Sequence, residues 1–166
     1  SSNGGAAITG YTVTPYIAGV AQTAQTFSST ATTETVTGLT AGTAYTFKVA
    51  AINSAGTGAQ SAASNSVTPF TVPGAPTIGT ASKVANGQAS VSWTAPSSNG
   101  GSAITGYVVT PYLNGTTAQT ATTFSSTATT ETVTGLTHNS SYTFQVAAIN
   151  AAGTGSQSSA SNSVTV

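Results

Sequence analysis

Five side chains make up almost the whole acid–base inventory of this chain: Glu34, Glu131, Lys48, Lys83 and His138. Two carboxylates can work as acid and base only when they flank one bond, roughly 5–10 Å apart. Glu34 and Glu131 instead occupy matching positions of a repeated segment, about one module apart, so they read as outward carboxylates on a Thr-rich strand. His138 is the only base that could activate a Ser or Thr nucleophile. Its counterpart in the other copy is Ala41, which makes it a turn residue, and Lys48 is replaced by Gln145, which makes it a solvated outer-face residue. Metal centres want clustered His, Cys, Asp or Glu, and with no Cys and no Asp the chain has no such cluster to offer. No catalytic, cofactor-binding or metal-ligating residue is therefore assigned, and no cofactor is expected. Tyr16 and Tyr112 could stack on sugars, but each follows a proline and is expected to pack beside it. Asn114-Gly115-Thr116 and Asn139-Ser140-Ser141 match the N-glycosylation pattern, a weak three-residue motif.

The elements that carry these residues come twice. The 15 residues TFSSTATTETVTGLT at 26–40 recur unchanged at 123–137, and SSNGGAAITGYTVTPY at 1–16 aligns with SSNGGSAITGYVVTPY at 97–112. The offset is 96 before the turn around Asn114 to Thr117 and 97 after it, so the second copy has one extra residue there. A fixed period of this length predicts one module of about 100 residues, used in tandem.

Only the second copy is whole. It opens with PTIGTASKVANGQASVSWTAP, two expected strands holding the only tryptophan, Trp93, whereas the first copy starts at its SSNGG turn. The expected division is 1–69 as a partial module, 70–76 as a Pro-rich linker and 77–166 as a complete module. The 166 residues are expected to be a segment of a longer polypeptide, or one register of a polymer built from it. The alternative is a short unit whose open sheet is covered by a partner.

Charged residues are 2% of the chain, against about 25% in an ordinary domain. Nucleic acid and anionic membranes have no basic surface to grip, and no run of about 18 apolar residues predicts membrane insertion. At 38% apolar with regular alternation, the chain is not composed like a disordered one. Its surface is expected to be Thr, Ser, Asn, Gln and Gly, with little charge repulsion to oppose self-association or contact with neighbouring repeats.

Period-two alternation dominates. Tyr45, Phe47, Val49 and Ala51 share a face, as do Tyr142, Phe144, Val146 and Ala148. Asn-Gly pairs at 3–4, 86–87, 99–100 and 114–115 supply positive-φ turns. Short strands with polar turns between them predict an all-β, two-sheet sandwich. In the complete copy the strands are expected near 77–82, 88–94, 103–112, 117–124, 129–136, 141–150 and 160–166. The loops 53–58 and 150–155 join the last two strands of each copy.

The residues carrying these strands resemble the fibronectin type III family, in its bacterial extracellular version. The marks are PGAP at 73–76, Val91 and Trp93 on the second strand, the SSNGG-x-A-I-T-G-Y turn and strand, Leu39 and Leu136 six residues before Tyr45 and Tyr142, and AIN-x-A-G-T-G before the last strand. The resemblance covers 74–166 and, in 1–69, strands C to G of the family's seven. It implies tandem immunoglobulin-like sandwiches, the first lacking its two N-terminal strands, with the tryptophan in the core and the tyrosine hydroxyl bonded to nearby backbone. Tyr11, Val13, Tyr45, Phe47 and Val49 are then expected to lack second-strand cover. Some family members bind receptors through an Arg-Gly-Asp tripeptide in the loop before the final strand; here that loop reads NSAGTGAQ and NAAGTGSQ, without charge.

The expected function is structural and non-enzymatic: a stalk, spacer or fibre subunit of a secreted or cell-surface protein, self-assembling through strand edges or neutral Thr/Ser-rich faces. The alternatives are an accessory spacer or carbohydrate-binding module of a secreted polysaccharide-degrading enzyme, an adhesin with a cell-surface ligand, or decoration of a viral particle.

Overall fold

The computed structural model describes residues 2–166; Ser1, the first residue of the SSNGG turn, lies outside them. Every regular element among the described residues is a strand, and the chain divides into two compact units, Ser1–Pro69 and Phe70–Val166.

The first unit holds β1 (Gly10–Ile17), β2 (Val20–Ala21), β3 (Gln25–Phe27), β4 (Thr46–Asn53) and β5 (Gly56–Thr57). They form one sheet in the order β2-β1-β4-β5, with β3 also pairing β1. In the second unit follow β6 (Thr77–Ala85), β7 (Gln88–Thr94), β8 (Gly106–Leu113), β9 (Thr117–Ala118), β10 (Thr122–Phe124), β11 (Thr130–Val133), β12 (Ser141–Asn150), β13 (Gly153–Thr154) and β14 (Val164–Thr165). These make two sheets. One runs β10-β8-β12-β13, with β9 on β8 and β14 on β12; the other runs β11-β7-β6.

The core of the second unit lies between those sheets because alternate residues of each point inward. Val91, Val109, Phe144 and Val146 are fully buried, and Trp93 packs edge-on against Tyr107 with ring centroids 5.0 Å apart. That geometry is favoured by the aromatic quadrupoles. The tyrosine corner is also present: the Thr137 N–H donates to the Tyr142 hydroxyl at 3.1 Å, and Thr40 does the same to Tyr45 at 3.1 Å.

Several boundaries differ from expectation, each for a local reason. The first strand runs on to Ala85 because register shifts between Ile78 and Ala81 and between Lys83 and Ala85 let it stay paired with β7. Residues 103–105 precede β8, and the single stretch expected at 117–124 is broken into β9 and β10. The extra residue of the second copy sits at the β8–β9 turn: two residues separate Ile17 from its partner Val20, whereas three separate Leu113 from Thr117.

The expected final strand, 160–166, is reduced to β14. Ahead of it the chain advances three residues for every two of β12: the N–H groups of Gly155, Ser158 and Ser161 donate to the carbonyls of Ala148, Val146 and Phe144, and Val164 then pairs Tyr142. Ser158 and Ser161 Oγ accept the N–H groups of Val146 and Phe144 at 3.0 Å, taking the place of ladder carbonyls. Gly58, Ser61, Ser64 and Val67 repeat the pattern along β4. The segment 70–76, expected as a linker, is held by the second unit. Thr71 and Gly74 donate backbone bonds to Gly100 and Ser98, Asn150 Nδ2 donates to the Thr71 carbonyl at 2.7 Å, and Pro73 and Pro76 are buried.

Candidate interaction site

The charged residues are not brought together. Glu34 and Glu131 are half-buried in separate units, and no group of three or more His, Cys, Asp or Glu side chains converges among the described residues. His138 is exposed in the turn before β12. Asn139, beside it, has a positive φ of 56° and donates its N–H to the Val166 carbonyl. Asn114 is likewise exposed at a φ of 52°, and its N–H bonds the Ser141 carbonyl, so both Asn-x-Ser/Thr turns lie at one end of the second unit.

Tyr16 and Tyr112 are half-buried beside fully buried prolines, Pro15 and Pro111. Their hydroxyls have defined partners: Tyr16 donates to Gln60 Oε1 at 2.7 Å, and Gln60 Nε2 donates to Thr14 Oγ1 at 3.0 Å. Tyr112, Gln157 and Thr110 form the same relay. Lys48 Nζ lies 4.8 Å from the centroid of the Tyr16 ring, so this cation stacks on an aromatic face rather than projecting freely into solvent. Gln145 carries no charge with which to do this over Tyr112. The signal for the relay is present in the sequence as Thr-Pro-Tyr with a Gln some 45 residues later, once in each copy.

The feature that stands out is an uncovered apolar face on the first unit. Among the described residues this unit has no counterpart of β6 and β7, which cover the second unit's core. A cleft of about 660 Å³ opens there, lined by Tyr11, Val13, Val36, Leu39, Phe47 and Val49 among others. Val49 is 38% exposed, whereas the equivalent Val146 is 0% exposed. Tyr45 departs from the expectation for this face. It is only 4% exposed, because its backbone pairs with Val67 on both sides and its hydroxyl is tied to Thr40. Glu34 is the single carboxylate among the residues lining the cleft, beside Thr32, Thr33 and Thr35.

The fibronectin type III domain family matches residues 1–67 and 74–164. Similar solved structures include domains A168-A170 of titin, at 25% identity and a TM-score of 0.58, with 92% of this chain and 53% of that one covered. The twitchin kinase region from C. elegans aligns at 22% identity and a TM-score of 0.51, over 57% of this chain and 17% of that one. A structure of titin kinase and its flanking domains is 33% identical over 57% of this chain, with a TM-score of 0.48, and here too only 17% of the larger chain is spanned. With both copies matched by the family and the complete one closing into a two-sheet sandwich, this chain belongs to the fibronectin type III family, as two of its domains in tandem.

Proposed function

We propose that the chain is a structural repeat segment of a secreted or cell-surface protein, serving as stalk, spacer or fibre subunit. The observation that carries this reading is the tandem of two units, near-identical in sequence over the strands they share, with a composition rich in Ser, Thr, Asn and Gln that includes only two Lys and two Glu. A spacer works by geometry: each hydrogen-bonded unit sets a length and the number of units sets the reach. The hydroxyl-rich, charge-poor surface and the two exposed Asn-x-Ser/Thr turns support an outside location, in keeping with the bacterial extracellular members the sequence resembles.

Chains extended by one, two and three further copies of Phe70–Val166 test the reading by small-angle scattering. A constant increment in maximum dimension per copy is the expected result, with no retention on insoluble cellulose or chitin. Saturable retention on either polysaccharide would replace the spacer with a carbohydrate-binding module, and an increment that vanishes after the first copy would remove the geometric role.

A further inference from the structure

We infer that Asn114 is a site of self-modification, at which the backbone nitrogen of Gly115 attacks the Asn114 side-chain amide and converts it to a carboxylate. This inference is independent of the spacer reading. The chain holds four Asn-Gly pairs, at 3–4, 86–87, 99–100 and 114–115. A glycine has no side chain to hinder the approach of its nitrogen to the asparagine Cγ, so every pair has the parts for ring closure. What differs is how the fold holds them. Asn99 is fixed at both reacting groups: its Oδ1 accepts the Gly101 N–H at 2.9 Å, and the Gly100 N–H donates to Ser98 Oγ at 3.2 Å. Its carbonyl accepts from Asn150 Nδ2 at 2.8 Å, and Gly100 is buried so closely that a Cβ on it would stand 2.2 Å from the Thr71 carbonyl oxygen. Asn3 has the same local bonds, from the Gly5 N–H to its Oδ1 and from the Gly4 N–H to Ser2 Oγ. Gly87 is wedged against Leu136, whose N–H donates to the Gly87 carbonyl at 3.1 Å and whose carbonyl oxygen would lie 2.7 Å from an added Cβ.

Asn114 is under none of these restraints. It and Gly115 are both exposed, its side-chain amide has no hydrogen-bond partner among the described residues, and the nearest atom to an added Cβ on Gly115 is a Thr143 methyl carbon at 4.0 Å. The bonds that close the turn are long, 3.3 Å from the Gly115 N–H to the Tyr112 carbonyl and 3.2 Å from the Thr116 N–H to the Leu113 carbonyl, at or beyond the upper end of the usual range. In the reaction the Gly115 nitrogen gives its proton to hydroxide and bonds to Asn114 Cγ. The Cγ–Nδ2 bond breaks, the departing nitrogen takes a proton from water and leaves as ammonia, and a five-membered succinimide remains. Water then adds to either ring carbonyl and opens the ring to aspartate or, with the backbone rerouted through the side chain, to isoaspartate. The turn has room for the longer backbone of isoaspartate, since it already holds one residue more than the β1–β2 turn with Tyr112 and Ala118 still paired. The new carboxylate gives a chain of two Lys and two Glu a net negative charge, and so introduces repulsion between copies that otherwise have little.

The test incubates the full 166-residue chain in mildly alkaline buffer, folded and in urea, and follows Asn99 and Asn114 by mass spectrometry of peptic fragments with aspartate and isoaspartate resolved. In the folded chain Asn114 is expected to convert at least tenfold faster than Asn99 and to yield both products, and in urea the two rates are expected to converge. Gly115→Ala, which puts a Cβ beside the attacking nitrogen, and Asn114→Gln, which keeps the amide but enlarges the ring, are each expected to slow conversion at this turn at least tenfold. The proposal is overturned if Asn99 keeps pace with Asn114 in the folded chain, or if either variant converts at the unaltered rate. Aspartate as the sole product would mean direct hydrolysis of the amide, without the Gly115 nitrogen, and would also sink it. A tenfold difference that persists in urea would assign the rate to neighbouring residues rather than to the fold, and likewise overturn it.

Discussion

Residues 26–40 and 123–137 are the same 15 amino acids in two surroundings, and they do not adopt the same structure. In the second unit, Thr130–Val133 form β11 against β7; in the first, residues 33–36 form no strand. The flanking phenylalanines behave alike, because Phe27 and Phe124 each pair with the sheet present in both units. Thr-Glu-Thr-Val therefore becomes a strand only when a neighbour supplies the ladder and a covered face, as expected if β-propensity reflects fit to a half-buried pleated surface. The hairpin does two jobs at once, closing the core and turning an extended segment into a strand.

The most severe way to break the contrast is to make the second unit resemble the first. Trp93→Ala removes the ring that packs on Tyr107 and should destabilise the second unit by about 3–5 kcal/mol, typical for truncating a buried aromatic. Exchange at Thr130–Val133 should then approach that of residues 33–36 while the first unit is unaffected, which residue-resolved hydrogen exchange in urea would measure.

A smaller effect comes from the serine hydroxyls. Ser158→Ala leaves the buried Val146 N–H without its acceptor and should cost about 1–3 kcal/mol. Ser61→Ala removes the equivalent bond to Val49, where solvent is at hand to replace it, and should cost no more than about 0.5 kcal/mol. Equal losses in denaturant titrations of the two variants would mean that the uncovered face does not admit water to this edge.

The smallest expected change improves the first unit. Ala18 and Gly19 both have positive φ, 46° and 85°, in the two-residue turn between β1 and β2. Such a turn favours Asn at its first position, so Ala18→Asn should stabilise the first unit by roughly 0.5–1 kcal/mol. A shift of its unfolding midpoint with no shift for the second unit is the readout.

Much of the fold was legible because it rests on local pattern. Alternation placed Val91 and Trp93 on one face, and the Leu-to-Tyr spacing, read through the family resemblance, foretold the hydroxyl bond at Tyr142. What escaped depended on partners distant in sequence. The stretch ending each copy holds a pair of serines three residues apart, Ser61 and Ser64 or Ser158 and Ser161, a spacing that marks no strand, and its meaning appears only once Ser158 and Ser161 are seen capping β12. The burial of Tyr45 was missed because its cover is its own corner and the bridge to Val67, not the absent second strand. The exchange of Lys48 with Gln145 marks a solvated outer-face residue, and nothing local in the sequence links it to the ring of Tyr16. Of the open face, the sequence shows that the first copy holds no match to β6 and β7; the size of the cleft emerges only in the fold.

The three-for-two segment also governs how such repeats can drift in length. The β8–β9 turn holds one residue more than the equivalent β1–β2 turn without disturbing the matching pairs Tyr112–Ala118 and Tyr16–Ala21 on its inner side. A single deletion between Ser158 and Ser161 would have no such outlet: the later hydroxyl would miss the Phe144 N–H, and every residue up to Val164 would slip relative to Tyr142. Only changes of three residues keep that phase, so in any longer series of these modules length variation should collect in the hairpin turns and be absent from the serine track.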